Sequence, residues 1–183
     1  MDKLEKYESK DEFLVKRSPN RLFKLANYES NYQLLKNDKT EKLATIKKQY
    51  GYNFIQGYIS LWIQDINKFL NLTEKMNEEQ IYQTADLIYQ KYYYFSILEI
   101  ASIFKRAKLG EFNPKGIFRI DGMVILAWFD SYDKERINSV ERLSLDKHYI
   151  KKEKEPETRQ SSKTLREVIK ISKAKKDEQN RPK

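Results

Sequence analysis

Residues 76–110, MNEEQIYQTADLIYQKYYYFSILEIASIFKRAKLG, contain the two most complete helix starts in the chain. Asn77 and Gln80 have the spacing of a capping box, in which each side chain accepts a hydrogen bond from the backbone amide of the other residue. Ser96 and Glu99 repeat this spacing. Apolar residues at helical intervals follow both boxes, so the sequence predicts a helix after each one.

These two central helices are predicted over 78–92 and 97–109. Gly110 suits the position that follows a helix, where a left-handed conformation is common. Apolar residues on both sides of each box favour a hydrophobic staple, which fixes the direction of the entering chain. The staple pairs are Met76 with Ile81 and Phe95 with Ile100.

Two further helix starts precede this stretch. Ser18-Pro19 is typical of a helix start, with Ser as the cap and Pro at the first helical position, and predicts a helix over 21–35. Thr40 is predicted to open another helix over 41–50. Gly51 either interrupts that helix or bends it.

The most apolar part of the chain begins at Asn53 and predicts a buried core helix. Its apolar residues recur at intervals of three and four and form one broad face. They are Phe54, Ile55, Tyr58, Ile59, Trp62, Ile63, Ile66, Phe69 and Leu70.

After the central helices, residues 112–120 suit either a small β-ribbon or an extended loop packed on the core. Within residues 111–122, a proline and two glycines surround a short Ile-Phe-Arg-Ile alternation. Asp121 can cap a helix over 122–143. Its inward-facing residues are predicted to be Ile125, Trp128, Phe129, Tyr132 and Val140.

The predicted fold class is all-α. We expect a bundle of five to six helices in a domain over residues 18–145, with the short β-ribbon near 112–120 as one option. Residues 1–17 are predicted to be a flexible or weakly helical arm. A basic C-terminal extension, residues 146–183, is predicted to comprise a charged linker and an amphipathic tail helix over 162–176.

Composition excludes several classes of site. The 183 residues include no cysteine and one histidine, which rules out disulfides, thiol nucleophiles, cysteine-ligated metals and multi-histidine metal cages. The five glycines form neither of the common phosphate-binding loops. We therefore expect no enzymatic activity, no cofactor and no metal site.

The sequence also predicts a compartment. The N-terminus MDKLEK is charged and lacks the apolar segment of a secretory signal. No run of apolar residues approaches the length that spans a bilayer. We therefore expect a cytoplasmic protein without membrane insertion.

The net charge of +9 is distributed unevenly along the chain. Residues 1–50 carry 12 basic and 8 acidic side chains, residues 51–150 carry 12 and 13, and residues 151–183 carry 12 and 6. A basic terminus is typical of proteins that bind nucleic acid or an anionic membrane surface. A solvated tail that maintains solubility explains the same charge equally well.

The candidates for binding nucleic acid are basic residues, most of them in the tail helix. Contacts to phosphates would give an affinity that depends steeply on salt and carries no sequence preference. An acidic protein partner or an anionic membrane surface would suit the same helix. The candidates are Lys163, Arg166, Lys170, Lys173, Lys175 and Lys176 in the tail, with Lys105, Arg106 and Lys108 in the second central helix.

Aromatic residues are the candidates for contacts with a protein partner, because 13 Tyr and 9 Phe exceed the need of one small core. The run of four rings over 92–95 could also stack on unpaired bases. We favour the simpler interpretation, in which alternate rings enter the core and the others lie half-buried. The partner-binding candidates are Tyr93, Tyr94, Phe112 and Phe118.

A helix-turn-helix over 78–109 is less favoured. A helix that reads bases usually presents polar residues at its N-terminal end. Here that end reads Ile97-Leu98-Glu99-Ile100, which suits a core better than a DNA groove.

The acidic pair Asp130 and Asp133 lies on one helix face and could bind a hard cation or act as acid and base. Lys134 and Arg136 follow immediately, so ordinary surface pairing explains the two carboxylates more simply. His148 lies at the edge of the charged linker, a setting in which a lone histidine is rarely catalytic.

Five segments between residues 76 and 136 carry a family resemblance. They are Met76–Ile81, Tyr93–Phe95, Lys108–Phe112, Ile120–Gly122 and Trp128–Arg136. Together they resemble an uncharacterised family of small helical proteins encoded by phages and mobile elements of gut bacteria. The resemblance implies a replication-associated or other phage-encoded accessory role, and it supplies no catalytic residues.

The sequence thus predicts a non-enzymatic accessory protein that associates with nucleic acid during replication of a phage or mobile element. The bundle would dock a protein partner such as a helicase or polymerase, and the basic tail would contact phosphates. The alternative is a protein–protein interaction module, such as a host-directed inhibitor or virion component, whose basic tail binds an acidic partner.

Overall fold

The computed structural model describes residues 8–26, 30–113, 116–117 and 119–154, together with positions 167 and 170. These residues contain eight α-helices and no β-strand, which confirms the all-α class and exceeds the predicted five to six helices. The helices are α1 (Lys10–Lys16), α2 (Pro19–Leu25), α3 (Asn31–Asn37), α4 (Leu43–Tyr50), α5 (Tyr52–Phe69), α6 (Glu78–Tyr92), α7 (Ile97–Lys108) and α8 (Gly122–Lys154).

The chain divides into two compact units, Met1–Val140 and Glu141–Lys183. The first unit contains α1 to α7 and the N-terminal part of α8, and the second contains the C-terminal end of α8. In the predicted tail helix, Glu167 and Lys170 are helical and exposed, and its other residues lie outside the described part of the chain.

The core of the first unit is built around α5, which packs against α2, α4, α6 and α7. Trp62 of α5 stacks on Phe104 of α7, with ring centroids 5.6 Å apart. Phe104 in turn meets Phe129 of α8 edge to face at 5.9 Å. Burial of each such side chain contributes about 1.5–3 kcal/mol to stability. The predicted core helix is therefore confirmed, although Phe69 at its end is largely exposed.

Both predicted capping boxes are present. Asn77 Oδ1 accepts from the Gln80 amide at 2.9 Å, and Gln80 Oε1 accepts from the Asn77 amide at 3.0 Å. Ser96 and Glu99 form the same pair of bonds at 3.2 and 2.8 Å. Gly110 has φ 79°, as predicted for the residue that follows a helix.

The single helix predicted over 21–35 is wrong, because this segment contains the end of α2 and the start of α3. The α2 helix ends at Leu25, and α3 begins at Asn31. Ser30 starts the new helix, since its side chain accepts from the Gln33 amide at 3.3 Å.

The predicted helix start at Thr40 is also wrong. The amide and hydroxyl of Thr40 both donate to Asp38 Oδ1, at 2.7 and 2.6 Å. The chain then stays extended through Lys42, which forms an antiparallel bridge with Ser96. The helix α4 therefore begins only after this bridge. Gly51 interrupts the helical path between α4 and α5 with φ 92°, a conformation that suits glycine.

The β-ribbon predicted near 112–120 is not present in the described residues of that stretch, which instead form a loop packed on the core. Asn113 Oδ1 accepts from the Trp128 indole nitrogen at 2.6 Å. The Gly116 amide donates to the Asn113 carbonyl at 2.9 Å, and Ile120 is buried. The loop is therefore held by a turn and by a side-chain hydrogen bond, not by pairing between strands.

The helix α8 begins as predicted and continues past the predicted end at residue 143. Asp121 Oδ1 accepts from the Val124 amide at 2.9 Å, which caps its first turn. At Gly122, a Cβ atom would lie 2.6 Å from Thr84 Oγ1, so glycine permits the close approach of α8 to α6. The predicted burial of Val140 is wrong, because this side chain is 41% exposed. The other four predicted inward residues, Ile125, Trp128, Phe129 and Tyr132, are buried.

The segment predicted to be an arm contains the helix α1, whose capping box joins Ser9 to Glu12. Phe13 of this helix is buried and meets the rings of Tyr50, Phe54 and Tyr58 edge to face or nearly so at 5.3–5.5 Å. The described part of the arm is therefore packed into the core of the first unit.

Candidate nucleic-acid interface

The tail candidates fall mostly outside the described residues. Lys170 is helical and exposed, as a phosphate contact requires. The candidates that lie outside the described residues are Lys163, Arg166, Lys173, Lys175 and Lys176 of the tail and Phe118 of the loop.

The guanidinium of Arg106 is already bound by two carboxylates of this chain. Its two terminal nitrogens bind Glu135 in a bidentate pair at 2.8 and 3.0 Å, and its Nε donates to Glu111 at 2.6 Å. The same group lies 4.7 Å from the centre of the Phe112 ring. A phosphate would have to displace two carboxylates, so Arg106 is a weak anchor for nucleic acid.

The two lysines predicted beside it lie at the contact between α2 and α7. Lys108 Nζ pairs with Asp65 of α5 at 2.6 Å, and its side chain is mostly buried. The ammonium groups of Lys105 and Lys108 lie 5.2 and 5.3 Å from the centre of the Phe23 ring. These positions stabilise the packing of the helices, and the charge of Lys108 is already compensated.

The predicted partner-binding rings differ in exposure. Tyr94 donates to Asp133 at 2.9 Å and lies beneath the guanidinium of Arg136. Phe112 stacks on Trp128 at 6.4 Å. Tyr93 is 51% exposed and is thus the most accessible of the three described candidates.

The aromatic run over 92–95 enters the core at its two ends rather than at alternate rings, and its first ring belongs to the last turn of α6. Tyr92 and Phe95 are fully buried, and their centroids are 5.0 Å apart. Tyr94 is half-buried between them and the surface.

The acidic residues of this region bind cations and hydroxyls from other helices. Asp130 accepts from Lys91 and Tyr92, each at 2.5 Å, and these bonds hold the pKa of its carboxyl below the usual value. Pairing explains the two carboxylates Asp130 and Asp133, as predicted. Their partners, however, come from α6 and the connection after it, not from neighbouring positions on α8. Among the described residues, no group of three His, Asp or Glu side chains is placed to hold a metal ion.

Glu99 is a buried carboxylate that adds to its predicted capping role an ion pair with Arg136, which the sequence did not indicate. Its Oε1 accepts from Arg136 Nε at 2.6 Å, and its Oε2 accepts from the Ser96 amide. The Ser96 hydroxyl also donates to Asp38. Burial raises the pKa of Glu99, while the charge of Arg136 opposes that rise.

The N-terminal end of α7 cannot serve as a base-reading helix. Ile97, Leu98, Glu99 and Ile100 are all buried within the first unit. A recognition helix needs this end free to enter the major groove. The structure therefore agrees with the rejection of a helix-turn-helix.

A surface that the sequence analysis missed lies where α4, α5 and α6 meet. We call it the tyrosine–lysine surface, formed by Lys47, Tyr52, Tyr82, Tyr89 and Tyr93. The half-buried ring of Tyr52 and the buried ring of Tyr89 lie beneath this surface and meet edge to face, with centroids 5.6 Å apart. Lys47 Nζ lies 5.3 Å from the centres of both rings. Its charge is thus held at the middle of an aromatic cluster.

Two tyrosines of α6 and the tyrosine that caps its C-terminal end form a line along one face of that helix. Tyr82, Tyr89 and Tyr93 are separated by seven and four residues, so they project in nearly the same direction. Tyr82 is 48% exposed and lies about 16 Å along the helix from Tyr93. The Tyr93 carbonyl accepts from the Ala44 amide at 2.9 Å, which brings the end of this line beside α4.

The exposed lysines of α4 and its N-cap differ from the paired cations of α7. Lys42, Lys47 and Lys48 are exposed, and none forms an ion pair with a carboxylate among the described residues. The sequence contains no acidic residue between Glu41 and Asp65, a signal that could have located this surface.

None of the described helices is long and apolar enough to cross a membrane. No family model matches the chain, and no curated protein and no solved structure shows significant similarity to it.

Proposed function

We propose that the protein is a non-enzymatic accessory protein that associates with nucleic acid, in the replication of a phage or mobile element. The observation that carries this proposal is the separation of charge along the chain. Residues 151–183 hold 12 basic and 6 acidic side chains, whereas residues 51–150 hold 12 and 13. The basic excess therefore lies chiefly in the tail.

Ion pairs within the first unit increase the difference in available positive charge between that unit and the tail. Five cations between residues 91 and 136 bind carboxylates of the same unit, so little of their charge is available to a partner. These cations are Lys91, Arg106, Lys108, Arg119 and Arg136. In the proposed mechanism the first unit docks a protein partner while the tail binds phosphates.

A salt series tests the tail directly. Replacement of all six tail candidates by Gln should reduce the slope of log affinity against log salt by about 5 for duplex DNA, since each phosphate contact contributes about 0.9. Binding of a labelled duplex would be measured by fluorescence anisotropy between about 50 and 200 mM salt. The six residues are Lys163, Arg166, Lys170, Lys173, Lys175 and Lys176.

A matched control removes the same charge from exposed lysines elsewhere, so that net charge is equal in the two variants. A small change of slope is expected for this control. Equal changes in the two variants would reject the tail mechanism, and a parent protein that binds no nucleic acid at low salt would favour the alternative of a protein–protein interaction module. The control substitutes Gln for Lys24, Lys36, Lys39, Lys68, Lys75 and Lys134.

A further inference from the structure

We propose that the tyrosine–lysine surface stacks unpaired bases of a single-stranded nucleic acid, while Lys47 and Lys48 bind its phosphates. This inference rests on the proposed association with nucleic acid and adds a second contact, made by the first unit to an unpaired strand. The exposed rings do not pack in the core, and the lysines form no ion pair with a described carboxylate. Binding of a nucleic acid would give both a role.

The rings at the two ends of the surface are available to bases. Tyr82 and Tyr93 are each about half exposed, so one face or edge of each ring meets solvent. Unpaired bases stack on such rings regardless of sequence, because every base has a flat aromatic face. In a duplex these faces are covered by neighbouring base pairs, so the surface should discriminate against double strands.

The separation of the rings requires more than one nucleotide. Tyr82 and Tyr93 lie about 16 Å apart along α6, too far for a single base to contact both. A nucleic-acid strand that runs along α6 from Tyr82 to Tyr93 would pass the ring pair of Tyr52 and Tyr89. Lys47 is held on this pair, 5.3 Å from both ring centres, which places a cation beside the path of the backbone.

The charge of the surface favours nucleic acid over a protein. The centre of a protein interface is usually depleted of lysine, whereas here Lys47 occupies the middle of the aromatic cluster. Lys48 is exposed on the next position of α4. Three carboxylates of α6 oppose this charge: Glu78 and Glu79 are exposed in the turn before Tyr82, and Asp86 lies on the tyrosine line and accepts from Gln90 at 2.8 Å.

The test compares single and double strands with the full-length chain. Labelled oligothymidylate of about 15 nucleotides, near the largest site size of one small binding domain, would be compared with a duplex of similar length. The double variant Tyr82→Ala/Tyr93→Ala should bind the single strand about 25-fold more weakly, or about fivefold for each ring. Its affinity for the duplex should change less than about twofold, since phosphate contacts dominate there.

Three further variants make the interpretation specific. Tyr82→Phe/Tyr93→Phe keeps both rings and should bind the single strand like the parent. Asp86→Asn removes a negative charge from the path and should tighten single-strand binding. The control Leu87→Ala/Tyr149→Ala removes two other exposed apolar side chains and should leave both affinities unchanged. Circular dichroism of each variant verifies that its helices are intact.

The outcomes separate this inference from the proposed function. A parent that binds neither strand rejects both. Tail-dependent binding that is unaffected by the Tyr→Ala pair rejects stacking alone and assigns the exposed rings to a protein contact. An equal loss on duplex and single strand, or a loss in the Tyr→Phe pair as large as in the Tyr→Ala pair, also rejects stacking. If the Ala pair fails to fold, the Phe pair and Asp86→Asn decide the question.

Discussion

Replacement of Arg136 by Met should destabilise the first unit by about 3–4 kcal/mol, because it leaves the carboxylate of Glu99 buried without its cation. Glu99 is 2% exposed, and Arg136 Nε donates to it at 2.6 Å. A buried charge that loses its partner keeps its desolvation penalty and gains nothing in return.

The magnitude follows from the position of the pair. Removal of one partner from a buried ion pair costs about 3–5 kcal/mol, and the 16% exposure of the Arg136 side chain places this case at the lower end. The guanidinium also lies 5.1 and 5.4 Å from the ring centres of Tyr94 and Phe95. Loss of these two contacts adds about 0.5–1 kcal/mol.

The loss of stability in Arg136→Met should increase as pH rises. Burial already raises the pKa of Glu99 in the folded protein, and Arg136 opposes that rise. Without Arg136 the folded-state pKa rises further, so between the unfolded and folded values the folded state binds more protons. Stability then falls as pH rises through this window, and the deficit should be larger at about pH 8 than at about pH 5.

A second substitution should restore much of the loss. Gln at position 99 carries no charge and can keep the bond to the Ser96 amide, as Gln80 does for Asn77 in the other capping box. Arg136→Met combined with Glu99→Gln should therefore be at least 1 kcal/mol more stable than Arg136→Met alone, by the size of the relieved penalty.

Urea unfolding followed by circular dichroism measures these differences. The matched control is Lys91→Met, which breaks the exposed pair with Asp130 and should cost less than about 1 kcal/mol. A cost below about 1 kcal/mol for Arg136→Met at pH 8, or no recovery in the double variant, would refute the reasoning.

Two other pairs of substitutions are predicted to differ in sign or size. Gly51→Ala should destabilise the protein by about 1–2 kcal/mol, because φ is 92° at this residue and no atom lies within 4 Å of the added methyl group to compensate for the strain. Gly57→Ala should instead stabilise the protein by about 0.5–1 kcal/mol, because Gly57 lies within the helix α5 and alanine favours a helix more than glycine does. Thermal unfolding of the two variants measures this contrast. Tyr92→Phe should cost about 1 kcal/mol through loss of the bond to Asp130, while Tyr132→Phe should be neutral or stabilising, since the Tyr132 hydroxyl is buried without a hydrogen-bond partner among the described residues. Equal effects in the two Tyr variants, measured by urea unfolding, would contradict the second contrast.

Local signals predicted the centre of the fold correctly. The capping boxes at Asn77 and Ser96 depend on residues three positions apart, so their geometry is determined within one turn. The start of α3 had a similar signal in Ser30 and Gln33, which would have divided the helix predicted over 21–35. The extra length of α8 also had one, since no Gly or Pro occurs between Gly122 and Pro156.

Contacts between distant residues account for the other errors. The start of α4 is delayed by the bridge between Lys42 and Ser96, which no local pattern reveals. Phe13 enters the core because rings from α4 and α5 surround it. Helix propensity is a weak signal, and tertiary packing overrides it at such positions.

At the candidate site, too, local patterns were readable from the sequence and contacts between distant residues were not. Clusters of basic residues in the sequence pointed to α7, but the carboxylates of Asp65 and Glu135 come from other helices and compensate Lys108 and Arg106. The tyrosine–lysine surface combines three helices and became visible only in the fold. The face shared by Tyr82, Tyr89 and Tyr93 was nevertheless readable from their spacing alone.

The bridge between Lys42 and Ser96 has a consequence for how the molecule opens. The amides of Leu43, Ala44 and Ile97 donate to carbonyls roughly fifty residues away along the chain, at 2.9, 2.9 and 3.1 Å. These bonds lie at the first turns of α4 and α7, where backbone amides otherwise exchange readily with solvent hydrogen. Here the start of α4 cannot fray without releasing the connection between α6 and α7. The three amides should therefore exchange at the slow rate of a cooperative opening that involves α4 and α7 together.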